Sequence, residues 1–94
     1  MKIEWCYKGQ DTYKSYANQE NLLQSLDFLI RLVNNQTDYN YKDMVAIRVE
    51  LNLFLWISIV KNWLGKEDYY LMCGDYDIGR LNNFKDVEIF MREL

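Results

Sequence analysis

The chain has no histidine, no proline, two cysteines and four glycines in 94 residues. Without histidine there is no imidazole base, so Ser-His-Asp and Cys-His arrangements are excluded. A zinc site would need thiolates alone, and two cysteines cannot build one. Without proline, every residue keeps its backbone N–H, which suits continuous antiparallel strands. The longest apolar run, Leu53 to Val60, is eight residues and contains Ser58, against the roughly 20 that a membrane helix needs. Met1 to Cys6 shows a lysine followed by an acid and no apolar stretch of a secretory signal. A cytoplasmic chain without membrane contact is expected. Cys6 and Cys73, flanked by apolar residues, read as small buried hydrophobes in a reducing compartment rather than as a disulfide.

Positive charge is also short. Eleven Lys and Arg stand against 14 Asp and Glu, a net charge of -3, and the cations are scattered rather than clustered. Direct nucleic-acid binding, which needs a basic surface, is disfavoured. What the chain does have is apolar and aromatic content, 50% and 16%, enough for one folded domain spanning residues 1–94.

Ile3, Trp5 and Tyr7 alternate with polar residues, the period of a strand with one buried face, and Gly9 ends it. Residues 10 to 18 are polar and lead to Asn18 as a helix cap, with a helix over 19–34. Leu22, Leu26, Leu29 and Val33 form its stripe, Leu23 and Ile30 widen it, and Asp27 and Arg31 can pair on the outer side. From Val45 to Ile59 every odd position is aliphatic, while the even ones hold Ala46, Arg48, Glu50, Asn52, Phe54, Trp56 and Ser58. A single strand over 44–60 would run about 56 Å, against a globule about 30 Å across. A hairpin is expected, with a loop at Glu50, Leu51 and Asn52 that pairs Val49 with Leu53 and places Asn52 at a left-handed position. The competing reading is one long strand with a bulge near Asn52, which would bury Leu51. Gly65 to Asp68 reads as a turn, Tyr69 to Cys73 as a strand, Gly74 to Asp77 as another turn and Ile78 to Arg80 as a short edge strand. Asn83 caps a terminal helix with Val87, Phe90, Met91 and Leu94 as its stripe and Glu88 and Arg92 paired outside. The predicted class is α+β: an antiparallel sheet of four to five strands packed with two helices, in the order β-α-β-β-β-(β)-α.

No catalytic residue, cofactor or metal site emerges. Asp75 and Asp77 could hold a divalent cation through oxygen, but a calcium loop needs more ligands and an Asp- and Gly-rich turn is the ordinary outcome. Carboxylate chemistry of the glycosidase kind needs a cleft that so small a domain hardly offers, and Cys73 has no group beside it to lower its pKa. The chain is read as not an enzyme. Eight tyrosines and three tryptophans exceed what a core of this size buries, and such residues dominate interfaces. The even face of the hairpin offers Phe54 and Trp56 beside Arg48 and Ser58, with Tyr70 joining them, unless a helix covers that face. Glu67, Asp68, Asp75 and Asp77 fall in the turns around Tyr69 to Cys73, with Tyr76 between the last two. They are expected to form an electronegative rim at one end of the sheet, suited to a protein partner with a basic surface.

The first strand, the Leu-rich segment Glu20 to Val33, the hairpin Met44 to Ile59, and Tyr69-Tyr70-Leu71 leading into Gly74-Asp75 together resemble small bacterial immunity proteins of polymorphic toxin systems, of the Imm1-like type. The resemblance lies in element order and apolar pattern over residues 1 to 80. It implies a cytoplasmic, non-catalytic inhibitor that occludes the active site of a toxin such as a nuclease or deaminase-like enzyme. The abundance of Asn, Lys, Tyr and Ile suggests an AT-rich bacterial or phage gene, so a phage-encoded anti-defence inhibitor of the anti-CRISPR kind is the alternative. A homo-oligomeric regulatory or structural protein, a homodimer in the simplest case, is another.

Overall fold

The computed structural model describes residues 1–94 and is an α+β fold. Six strands form one sheet: β1 (Lys2–Tyr7), β2 (Ser15–Asn18), β3 (Met44–Glu50), β4 (Leu55–Lys61), β5 (Glu67–Cys73) and β6 (Tyr76–Leu81). Their spatial order is β2-β1-β3-β4-β5-β6, and every neighbouring pair is antiparallel. Helix α1 (Leu22–Val33) connects β2 to β3, and α2 (Phe84–Arg92) closes the chain. Neither helix is long and apolar enough to cross a membrane.

The odd-numbered aliphatic positions of the central strands set the buried face. Ile3, Val49 and Ile57 lie in register across β1, β3 and β4, and Trp5, Ile47, Ile59 and Tyr69 form the next row. All seven are buried, against Leu26, Leu29 and Leu32 of α1 and Val87 and Met91 of α2. Full burial of each large aliphatic side chain contributes about 1.5–3 kcal/mol, so this face carries most of the stability. Trp5 packs on Phe28 and Tyr39, with ring centroids 6.2 and 4.6 Å away.

Several local readings change, and β5 and β6 are longer than expected, so Glu67 and Asp68 are strand residues. Residues 15–18 are an edge strand rather than a lead-in to a helix, because Ser15 to Asn18 pairs with β1. The cap of α1 is Asn21, not Asn18: its Oδ1 accepts the Gln24 N–H at 2.9 Å. The helix ends with Asn35 in the left-handed region (φ 57°), its N–H donating to the Leu32 carbonyl and the Gln36 N–H to that of Arg31. The β3–β4 hairpin exists, but it pairs Val49 with Ile57 and Ile47 with Ile59. The turn moves to residues 51–54 because Asn52 works as its opening cap, with Oδ1 accepting the N–H groups of Phe54 and Leu55 at 3.0 and 2.9 Å. Leu51 therefore turns into the core and Leu53 out to solvent. The shift keeps parity, so the aliphatic face is unaffected.

Asn83 caps α2 by accepting the Asp86 N–H, and Asp27 pairs with Arg31 at 3.2 Å. Glu88 pairs with Lys85 rather than Arg92. Cys6 is buried, whereas Cys73, at the end of β5, is exposed; both are free.

Candidate functional site

Both helices sit on the odd face, so the even face of the sheet has no covering layer. Its central row runs Glu4, Arg48, Ser58, Tyr70 and Arg80 across five strands. A neighbouring row holds Glu50, Trp56, Met72 and Asp77. Long side chains and rings cover this face themselves. The Arg48 guanidinium lies 3.9 Å from the ring of Tyr13, which reaches over from the β1–β2 loop, and 5.4 Å from that of Trp56. It donates to Glu4 Oε2 at 2.7 Å. Arg80 repeats the arrangement, 5.0 Å over the Tyr70 ring and donating to Asp68 at 2.7 Å.

These contacts act on ionisation in opposite senses. Burial alone would raise the Glu4 pKa, but the hydrogen bond and charge of Arg48, helped by Lys2, outweigh it and hold the carboxyl below its ordinary value. Burial pushes the Tyr13 phenol up, with Arg48 opposing.

Ser58 is the one small side chain in the central row. Beside Arg48 it leaves a hollow of about 400 Å³, lined also by Trp56 and Met72, by Tyr13, and by Gly74 and Asp75 of the β5–β6 turn. Gly74 takes a positive φ of 60°, the conformation a two-residue hairpin turn of this hand asks of its first residue. Its N–H donates to the Phe54 carbonyl at 2.8 Å, tying that turn to the β3–β4 turn. Beside the hollow, the two tips present Leu53, Phe54 and Tyr76, exposed by 79, 66 and 77%.

The eight predicted interface residues are thus divided. Phe54, Asp75, Tyr76 and Asp77 gather at one end of the sheet, and Trp56 and Tyr70 lie on the open face. Phe54 belongs to the turn rather than to the strand face, because the hairpin tip falls at 51–54. Glu67 and Asp68 do not join the rim: they begin β5, whose seven residues set them about 20 Å from Asp75. There Glu67 accepts the Tyr41 hydroxyl at 2.8 Å. Lys61 donates to the Tyr41 carbonyl and stands over its ring. Burial, reinforced by Glu67, raises the Tyr41 phenol strongly and pushes Tyr69 up to about 12, while burial lowers Lys61. Both acids are thus engaged within the chain, Glu67 by the Tyr41 hydroxyl and Asp68 by Arg80. Trp63 and Leu64 project from the β4–β5 turn at that same end, with no pocket beside them.

Leu53 and Tyr13 were missed as site residues. An aromatic inside an otherwise polar connection was the available signal for Tyr13; Leu53 became visible only with the position of the turn. Comparison with protein families, with curated proteins and with solved structures found no match.

Proposed function

We propose that the chain is a non-catalytic inhibitor that binds a protein enzyme and occludes its active site, in the manner of an immunity protein. The observation that carries this reading is the ledge formed by the two joined tips. Leu53, Phe54 and Tyr76 are exposed together there, and the adjoining Asp75 and Asp77, like nearby Glu50, take part in none of the five ion pairs. Large apolar and aromatic groups ringed by unpaired carboxylates make a surface for a partner whose own site is cationic. Enzymes that act on nucleic acid, toxin nucleases and deaminases among them, present such sites.

Growth rescue tests the reading. The chain is coexpressed with each growth-arresting reading frame that neighbours its gene. Wild type is expected to restore growth against one of them, and the Leu53→Ala, Phe54→Ala, Tyr76→Ala triple variant to fail while keeping its circular-dichroism spectrum. Rescue by the triple variant, or no rescue by wild type, overturns the proposal. So does a stable dimer at micromolar concentration that the triple variant dissolves, which would assign the ledge to self-association.

A further inference from the structure

Resting on the inhibitor reading, we infer that the hollow over Ser58 receives an arginine side chain of the partner. The open face already holds two guanidinium groups in one recurring arrangement, an aromatic ring against the group and a carboxylate of the neighbouring strand beside it: Arg48 with Tyr13 and Glu4, and Arg80 with Tyr70 and Asp68. The hollow repeats the parts beside Arg48, whose guanidinium lies 5.4 Å from the Trp56 ring on its own side. Trp56 offers a ring, Met72 an apolar wall, Ser58 a hydroxyl on the floor and Asp75 a carboxylate on the rim. Its volume of about 400 Å³ accommodates a long side chain.

The charge balance points the same way. Arg48 is the cation of the lining; its Nη2 is engaged by Glu4 at 2.7 Å and the group is covered by the Tyr13 ring, while its buried Nε has no partner. Glu50 is the cross-strand neighbour of Trp56 and Asp77 that of Met72, so the carboxylates around the opening outnumber the cations. A planar guanidinium lies flat on a ring while two parallel donors of its fork grip a carboxylate, whereas an ammonium, such as Lys2 over Tyr16 and beside Glu4, does so only as a compact, strongly hydrated point charge. That geometry selects arginine over lysine.

The test needs no partner. Labelled protein is titrated by NMR with N-acetyl-arginine methylamide, with the lysine analogue, and with the citrulline analogue, which has nearly the same shape but no charge. Saturable shifts at the Trp56 indole N–H and the Ser58 and Asp75 amides are expected with arginine, at least fivefold weaker with lysine and absent with citrulline. Asp75→Asn, in an exposed turn that tolerates Asn, is expected to weaken arginine binding at least fivefold with the rest of the spectrum in place. Equal shifts from citrulline, shifts confined to other surfaces, or unchanged binding by Asp75→Asn overturn the inference. The two proposals fail separately. Growth rescue that depends on the ledge, without arginine-specific shifts, removes the pocket and leaves the inhibitor. Arginine-specific shifts without rescue remove the inhibitor and leave a guanidinium-binding pocket.

Discussion

On one face of the sheet Ile47, Val49, Ile57 and Ile59 are sealed beneath two helices; on the other, Glu4, Arg48, Tyr70 and Arg80 are covered by one another and by the Tyr13 loop. The first solution is apolar and leaves nothing to bind. The second sets the hydrocarbon and ring surfaces of amphipathic side chains against each other while their charged ends pair across neighbouring strands. A cover made of separate side chains has gaps wherever one of them is short, and Ser58 is where this one gives way. The same device that lets a small domain do without a second helical layer therefore produces its hollow.

The comparison can be broken most easily from the helical side. Leu29 is fully buried at the centre of the α1 contact. Leu29→Ala removes its methyl groups and leaves a cavity that a sheet and two helices can only partly close, so a loss of about 2–5 kcal/mol is expected in urea unfolding. A loss below 1 kcal/mol would mean that the helices are loosely docked and that the two faces differ less than the packing indicates.

Arg48→Met tests the open face with a smaller effect. Met keeps much of the hydrocarbon stem under Tyr13 but leaves Glu4, whose side chain is 13% exposed, with Lys2 as its remaining cation at 3.4 Å. Loss of a hydrogen bond to a charged group predicts about 1.5–3 kcal/mol at neutral pH. The pH dependence gives a second readout. Because the folded state holds the Glu4 pKa below its unfolded value, the stabilisation is present above the usual carboxylate range and is lost as pH falls through the folded pKa. The variant should therefore show a shallower acid limb than wild type. An identical limb would remove Glu4 and Arg48 as the electrostatic centre of this face.

How much of this contrast was legible in the sequence depends on which interactions were periodic. The odd-position aliphatics from Val45 to Ile59 fixed the buried face whatever the hairpin register, because a shift that keeps parity leaves the same side chains inside. The register itself was not legible. It rests on whether Asn52 opens the turn with its side chain or closes it with a left-handed backbone, and both uses suit asparagine. β2 escaped because Ser15 to Asn18 carries little apolar pattern of its own and becomes a strand by pairing with β1. The supposed acidic rim failed for a geometric reason: two turns that flank one strand lie at opposite ends of it. The Glu67 and Tyr41 contact spans 26 positions of chain, beyond what local spacing can announce.

That distant contact provides a third, smaller test, at the end of the sheet away from the ledge. Tyr41→Phe removes the hydroxyl that Glu67 accepts, and about 0.5–1.5 kcal/mol should be lost at neutral pH. Tyr69, pushed up to about 12, and Tyr41, raised further, keep their protons in the folded state after the unfolded chain begins to lose them. Their contribution is present below about pH 10 and declines as pH rises toward the folded values. Alkaline unfolding of the variant should be less steep than that of wild type, since one of the two groups is gone. Equal steepness would show that the Tyr41 hydroxyl is not held as a donor to Glu67.

The smallest effect should run the other way. Ser58→Val places a β-branched apolar side chain in the middle of a central strand, where it fits the pleat, and fills part of the hollow beside Trp56 and Met72. Extra apolar burial there predicts a gain of about 0.5–1 kcal/mol in urea unfolding. The same substitution should abolish the arginine-dependent shifts at Trp56, because the floor has risen into the space the guanidinium would take. A loss of stability would mean that Ser58 is required by the strand itself, and the hollow would then be a by-product of folding. A gain, together with loss of binding, would mean that the protein keeps a serine at this position at a cost in stability, the pattern expected where a surface is shaped for a partner.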